Sequence, residues 1–262
     1  MKPKLSLTIL LLLAPSSMAA AQEGDKEDKP RRIVRVGLGA ESVPDHVGAK
    51  GRKWAPLINI DRKREGETFE FEAPDESFGF RLARLGGLEV GPAIALESSR
   101  KPSRFPVPVE KVSRTLEAGA FVQHYLGESA RVRAELRKGL GGHDGWVSQI
   151  SADFIAREGD SYLISVGPRL TWADDKYQQA FFSVSPATST ASGLALYEPG
   201  GGWRGAGAAA SGHFEVAPNW GLYTYGRFER LIGDAGRSPL IRAYGSRNQL
   251  SAGLALTYTF GI

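Results

Sequence analysis

The chain has 262 residues, with 33 Lys and Arg against 29 Asp and Glu, and no cysteine. The lack of cysteine excludes a disulfide scaffold and a thiolate zinc site. The formal charge of +4 includes Lys2 and Lys4 of a segment expected to be removed. The other basic residues are interleaved with acids, so nucleic acid is not an expected partner.

Residues 1–21 read as a signal peptide. Two lysines precede a short apolar run from Leu5 to Met18, and Ala19, Ala20 and Ala21 stand before Gln22. That order of charged, apolar and small residues is the export pattern, with cleavage expected after Ala21. About fourteen apolar residues are too few to cross a bilayer as a helix. Gln22, rather than a cysteine, excludes a lipid-anchored N-terminus. Residues 22–30, "QEGDKEDKP", are charged and aperiodic, and read as a flexible lead-in. No later stretch holds eighteen uninterrupted apolar residues, so helical membrane spans are not expected.

From residue 31 to 262 the dominant signal is a period of two. "RRIVRVGLGA" sets Val34, Val36, Leu38 and Ala40 on one face. Candidate strands follow at residues 54–62, 68–72 and 78–85. "GLEVGPAIALE" places Leu88, Val90, Ile94 and Leu96 opposite Glu89 and Glu97. Residues 114–126 come next, and "ARVRAELRK" alternates Val132, Ala134 and Leu136 with Arg131, Arg133, Glu135 and Arg137. Residues 145–156 precede "YLISVGPRLTW", where Tyr162, Ile164, Val166, Leu170 and Trp172 oppose Ser165, Gly167, Arg169 and Thr171. Residues 178–185, 202–216 and 220–232 follow. "NQLSAGLALTYTFGI" closes the chain with Leu250, Leu254, Leu256, Tyr258 and Phe260 on one face and Ser251, Ala255 and Thr257 on the other.

Turn-like pieces separate these runs: "REGE", "GG", "GES", "REGDS", "ADDK" and "APN". Longer connections are expected at 41–53, 98–113, 186–201 and 233–247. The tally is thirteen candidates. The weakest is 68–72, five residues long with Glu70 and Glu72 at alternate positions, and setting it aside leaves twelve, an even number as in bacterial single-chain barrels.

Many runs are longer than the usual strand of about five or six residues and match the roughly nine to eleven that cross a membrane at a tilt. Their second face mixes Arg, Glu, Gln, Ser, Thr and Gly, as a polar barrel interior does. An open sheet edge in hydrocarbon would leave backbone groups unsatisfied. The expected fold is therefore all-β: a closed antiparallel transmembrane β-barrel of about twelve strands over residues 31–262. Tyr258-Thr259-Phe260 resembles the C-terminal assembly signal of outer-membrane barrels, with the departure that Gly261 and Ile262 follow the phenylalanine.

Several phrases resemble the MltA-interacting protein (MipA/OmpV) family of Gram-negative outer membranes. They are "VGLGAESVPDHVGAKGRKWAPLINI", "TLEAGAFV", "GLGGHDGWVSQISADF", "VGPRLTWADDKYQQAFFSVSP", "SGLALYEPGGG" and "RLIGDAGRSPLIRAYGSRNQLSAGLALTYTF". They follow the family's order along nearly the whole exported chain; at His46 an aromatic is more usual. The resemblance implies a cell-envelope barrel in the outer membrane, without catalytic residues. It also implies a scaffold between a lytic murein transglycosylase and a murein synthase, enzymes of peptidoglycan turnover. It assigns no interaction residue.

Chemistry in the residues themselves is sparse. Ser211, His213 and Glu215 of "SGHFE" share a strand face and have the composition of a hydrolase triad. Neighbours at i and i+2 stand about 6.6 Å apart, however, which is too far for nucleophile and base to touch. His46, His124, His143 and His213 have no metal-binding spacing. His143-Asp144 lies in a glycine-rich turn without a third ligand. "GLGAES" and "GLGGHDG" lack the lysine and the strand-to-helix junction of a phosphate loop, and Glu70 and Glu72 read as solvated acids. No catalytic, cofactor-binding or metal residue is assigned, and no cofactor is expected. The inward charges Glu117, Arg131, Arg133, Glu135, Arg137 and Arg169 either line an aqueous pore or pair and fill it. The reading is a non-enzymatic scaffold for murein enzymes, embedded in outer-membrane lipid. The alternative is a solute channel, and the third reading is a lipid hydrolase.

Overall fold

The computed structural model describes residues 31–262; the expected signal peptide and lead-in lie outside the described residues. Ten long strands dominate: β1 (Arg32–Pro44), β2 (Arg52–Arg64), β5 (Leu88–Glu97), β6 (Thr115–Tyr125), β7 (Ala130–Leu140), β8 (Trp146–Glu158), β9 (Tyr162–Ala173), β10 (Gly202–Ala217), β11 (Trp220–Leu231) and β12 (Asn248–Gly261). Two short pieces, β3 (Phe78–Gly79) and β4 (Ala83–Leu85), pair with β5. Helices α1 (Asp175–Phe182), α2 (Pro186–Ser192), α3 (Gly233–Arg237) and α4 (Pro239–Tyr244) lie in the connections.

The strands form one antiparallel sheet in the order β2-β1-β12-β11-β10-β9-β8-β7-β6-β5-β3. The expected two faces are present. On β12, Leu254 and Leu256 are exposed on the convex side while Ala255 and Thr257 are buried on the concave side. On β7, Val132 and Leu136 point outward, and Arg131, Arg133, Glu135 and Arg137 are buried. Large apolar residues cover the outside on nearly every strand, among them Ile58, Leu116, Ile150, Phe154, Val166 and Phe228. This convex apolar surface is the signature of strands wetted by lipid.

Closure fails. The chain's first and last long strands pair, β1 with β12 from Ile33↔Gly261 to Ser42↔Ala252, but β2 and β3 do not meet. The sheet curls through 263° about its axis and leaves an 11 Å gap between its edges. The expectation of a closed barrel is thereby corrected to an open, curled sheet. The cause lies in residues 65–77. They leave the end of β2 and climb behind the wall, burying Phe69, Phe71 and Ala73 against the concave face, where a wall strand would otherwise run.

Two strand assignments change, and the setting aside of residues 68–72 holds. Residues 68–72 alternate but pair with no strand. Residues 178–185 fall mostly in α1, because Asp174 caps it by accepting from the Tyr177 N–H at 2.9 Å. Tyr177, Gln178, Phe181 and Phe182 then form one buried helical stripe. The "ADDK" piece is accordingly a helix start. Residues 78–85 split into β3 and β4, so twelve strands are found among the described residues, though not the twelve expected.

Register places the ends. Arg32 opposes Arg64 and Ile33 opposes Gly261, so the start of β1 and the end of β12 share a rim. The short turns lie there too, including Gly86-Gly87, whose positive φ angles of 57° and 89° suit a two-residue hairpin, and Asn219 at φ 67°. Apart from residues 65–77, the long connections among the described residues lie at the opposite rim. There Tyr177, Phe181, Phe182, Leu231, Ala235 and Ile241 pack with Val112 and Val147 into a hydrophobic cap.

The two faces make a stability prediction. Leu254→Arg puts a cation on the mid-strand lipid side and should cost about 2–4 kcal/mol. Thr257→Arg, on the inward face, should also be costly, since Thr257 is only 1 % exposed and touches His213 at 3.0 Å. Ser251→Arg, which enters a cavity lined by Glu41, Glu97 and Glu229, should be the mildest of the three. Urea titration in lipid vesicles orders them.

Candidate functional site

Every second residue of a strand faces the concave side, and here those positions carry charge. Arg131 donates to Asp153 at 2.9 Å and Glu76 at 2.7 Å. Asp153 also accepts from Arg169 at 2.7 Å, and Arg169 binds Asp75 at 2.9 and 3.0 Å. Arg227 approaches Asp75 at 3.3 Å and Glu229 at 2.5 Å. Glu229 then holds Arg204 at 3.2 Å; Arg204 donates to the Tyr177 hydroxyl, which donates to Glu97 at 3.1 Å. A second branch runs from Arg133 through Glu135 and Arg137 to Glu117 and His143. One connected network thus climbs from β7 to the cap.

Residues 65–77 are central to it. Asp75 and Glu76 supply acids to arginines on β7, β9 and β11, while the Arg35 and Arg131 guanidinium groups lie over the Phe69 and Phe71 rings, 4.1 and 4.4 Å from their centroids. A row of arginines on neighbouring inward faces repels itself unless acids reach it, and a buried charge is tolerated only when paired and hydrogen-bonded. Glu135, Asp153 and Glu229 come from the wall; Asp75 and Glu76 come from the inserted segment. Of the two alternatives left by the sequence, the contacts follow the second: the inward charges pair across the interior. A cavity of about 390 Å³ remains between Asp75 and the cap, bordered by Glu41, His46, Glu97, Arg204 and Gln249.

The other sequence candidates are dispersed. Ser211 shares a hydrogen bond with Ser165 at 2.8 Å, and His213 meets Arg35 at 3.2 Å and Thr257 at 3.0 Å. Glu215 is exposed, so the three do not assemble as a triad. His143 accepts from the Gly145 N–H on Nδ1, which leaves Nε2–H to donate to Glu117. His124 lies 2.9 Å from the Gly87 carbonyl. Among the described residues no group of three His, Cys, Asp or Glu is arranged for a metal ion. The sequence did not single out Asp75, Glu76, Arg204 or Arg227. The available signal was an excess of arginine over acid on inward positions of β7 and β9, which requires acids from elsewhere.

His46 belongs to the cap. It is 5 % exposed and its ring lies 5.7 Å from that of Phe105. Burial, reinforced by the Arg100 cation, lowers its pKa from 6.5 to about 4. Arg100 is anchored there by donating to the Phe181 carbonyl at 2.7 Å and to the Glu110 carbonyl.

Two outcomes follow from these contacts. Asp75→Ala strips the shared acid from two arginines and should cost about 3–5 kcal/mol, read as a lower urea midpoint in vesicles. For His46, a folded pKa below the unfolded value means that its neutral form stabilises the cap fully above about pH 6.5. That stabilisation is lost as pH falls toward 4. His46→Phe should therefore shrink the drop in melting temperature between pH 7 and pH 4.5, measured by circular dichroism.

Comparison with known proteins places the chain. No curated protein matches it. Among solved structures it is similar to an outer membrane channel from Pseudomonas putida F1, at 13 % identity and TM-score 0.40 over 91 % of this chain and 100 % of that one. It is also similar to OmpT, an outer membrane protein of Vibrio cholerae, at 7 % identity and TM-score 0.38 over 87 % and 96 %. A third is the toluene transporter TbuX of Ralstonia pickettii, at 11 % identity and TM-score 0.36 over 88 % and 90 %. At these scores none of the three bears on what this chain does. The family model described as MltA-interacting protein MipA, in contrast, matches residues 36–260. Nearly the whole described chain is covered, and the protein belongs to the MltA-interacting protein MipA family.

Proposed function

We propose that this outer-membrane protein acts as a non-enzymatic scaffold for periplasmic enzymes that synthesise and remodel murein. Its family, described by interaction with MltA, supports a partnership with peptidoglycan enzymes. Its interior supports docking over transport. At mid-height the space a solute would cross holds Arg131, Asp153, Arg169 and Asp75 in mutual contact, and the far rim is covered by the cap of α1, α3 and their neighbours. That filled interior is the observation that carries the reading.

A scaffold needs stiffness rather than a reactive group, and a cross-braced interior supplies it. Shared acids link strands that are not sequence neighbours. Arg227 on β11 is tied through Asp75 to Arg169 on β9, and Asp153 ties Arg169 to Arg131 on β7. In outer-membrane barrels short turns face the periplasm; by that rule the rim holding the start of β1 and the end of β12 is the one presented to murein enzymes.

The reading has two expected results. Immobilised protein in mild detergent should retain a murein transglycosylase through washing, and failure to do so would count heavily against scaffolding. In planar bilayers the protein should give no discrete conductance steps. Regular single-channel steps would move the assignment to a solute channel.

A further inference from the structure

The two free edges of the sheet have a relationship that follows from strand count. The path from β2 to β3 has eleven places and every neighbouring pair is antiparallel, so the two edges run in the same direction. They cannot pair with each other without breaking the antiparallel pattern. Neighbouring strands lie about 4.7–4.9 Å apart. The 11 Å gap is therefore a little over two spacings: room for one strand, antiparallel to both edges.

The chain's own connecting segment has the right direction but is fastened elsewhere. The Phe69 N–H donates to Asp160 at 3.0 Å, the Phe69 carbonyl accepts from Arg157 at 3.0 Å, and the Ser77 N–H donates to Glu135 at 3.3 Å. Asp75 and Glu76 hold it through their arginines. A second copy does not fit either, because each of its own edge strands carries a sheet on the other side and could reach only one edge here. Residues 22–30, "QEGDKEDKP", lack the alternation of a strand.

The gap has a definite chemistry. Its outer margins are apolar, with Trp54 and Ile58 on β2 and with Phe78, Phe80 and Leu82 on the other side, each more than half exposed. Behind it lies a recess of about 270 Å³, floored by residues 70–74 with Glu76 and Ser77. Glu70, Glu72 and Glu76 line it together with Arg81, Arg131 and Arg133; Arg81 holds Glu70 at 3.1 Å and Arg131 holds Glu76 at 2.7 Å, so the exposed Glu72 is the acid of the recess outside these ion pairs.

We propose that this gap is a docking slot for a single extended segment of a partner protein, bound by main-chain hydrogen bonds to both β2 and the β3–β4 edge. The occupant carries polar residues at alternate positions, with a basic one facing Glu72 beside the Glu70–Arg81 pair, and apolar residues between them, facing the bilayer. The slot rests on the sheet edges and not on the murein reading. Loss of the transglycosylase interaction would leave it standing, and its own failure would leave that interaction untouched.

The test uses the full exported chain in phosphatidylcholine vesicles. The probe is an eleven-residue alternating lysine–valine peptide, with a version interrupted by prolines as control. p-Benzoylphenylalanine replaces Ile58 on one edge, Phe80 on the other, or Phe154 on the far wall. Illumination should attach the alternating peptide at positions 58 and 80 but not 154. The proline version should attach at least tenfold less, and Glu70→Gln with Glu72→Gln should weaken binding about five- to tenfold. Attachment at one edge alone, or equally with the proline peptide, overturns the proposal. So does attachment of position 58 to the chain's own residues 65–85, or a species of twice the chain's mass.

Discussion

The structure depends on keeping buried arginines in contact with acids. Arg131, Arg133, Arg169 and Arg204 are all less than a tenth exposed, and an unpaired guanidinium at such depth is too costly for a fold of ordinary stability. The wall alone does not neutralise them. Asp75 and Glu76 must come from the connection between β2 and β3, and this draws residues 65–77 off the wall and into the interior. The open gap, the filled interior and the stiff cross-bracing are consequences of that one requirement.

The two rims differ in how they are packed. Strand ends joined by two- to four-residue turns need no packing of their own. The other rim carries long connections that bring their own apolar residues, and Tyr177 couples the two systems. Its ring packs in the cap, 4.6 Å from that of His143, while its hydroxyl joins Arg204 and Glu97 at the top of the network. Cap and interior are therefore one structure, in which a disturbance of either reaches the other.

Much of this was legible in the residues. Period-two alternation gave the lipid face and the inward charges of β7 and β9 correctly, because side-chain direction in a strand is fixed by the backbone. The family resemblance was legible for a different reason: its phrases span the strands and the loops between them. Residues 68–72 and 178–185 show where alternation misleads. "TFEFE" alternates because one side faces the interior and the other a gap, without any strand partner. "QQAFFSVS" alternates over part of a stripe that is helical in period once Asp174 caps it. The inward position of Ser211 and His213 was readable, but not that each would be occupied by Ser165, Arg35 and Thr257 from other strands.

The sequence by itself determined the two-faced strands, the all-β class, the family and the placement of the arginines on inward positions, since each of these follows from local spacing along the chain. Tertiary structure alone decided which acids meet those arginines, that the sheet stays open and that ion pairs cross the interior. Those outcomes turn on contacts between residues as far apart as Asp75 and Arg227, and no local pattern encodes a distance across the interior.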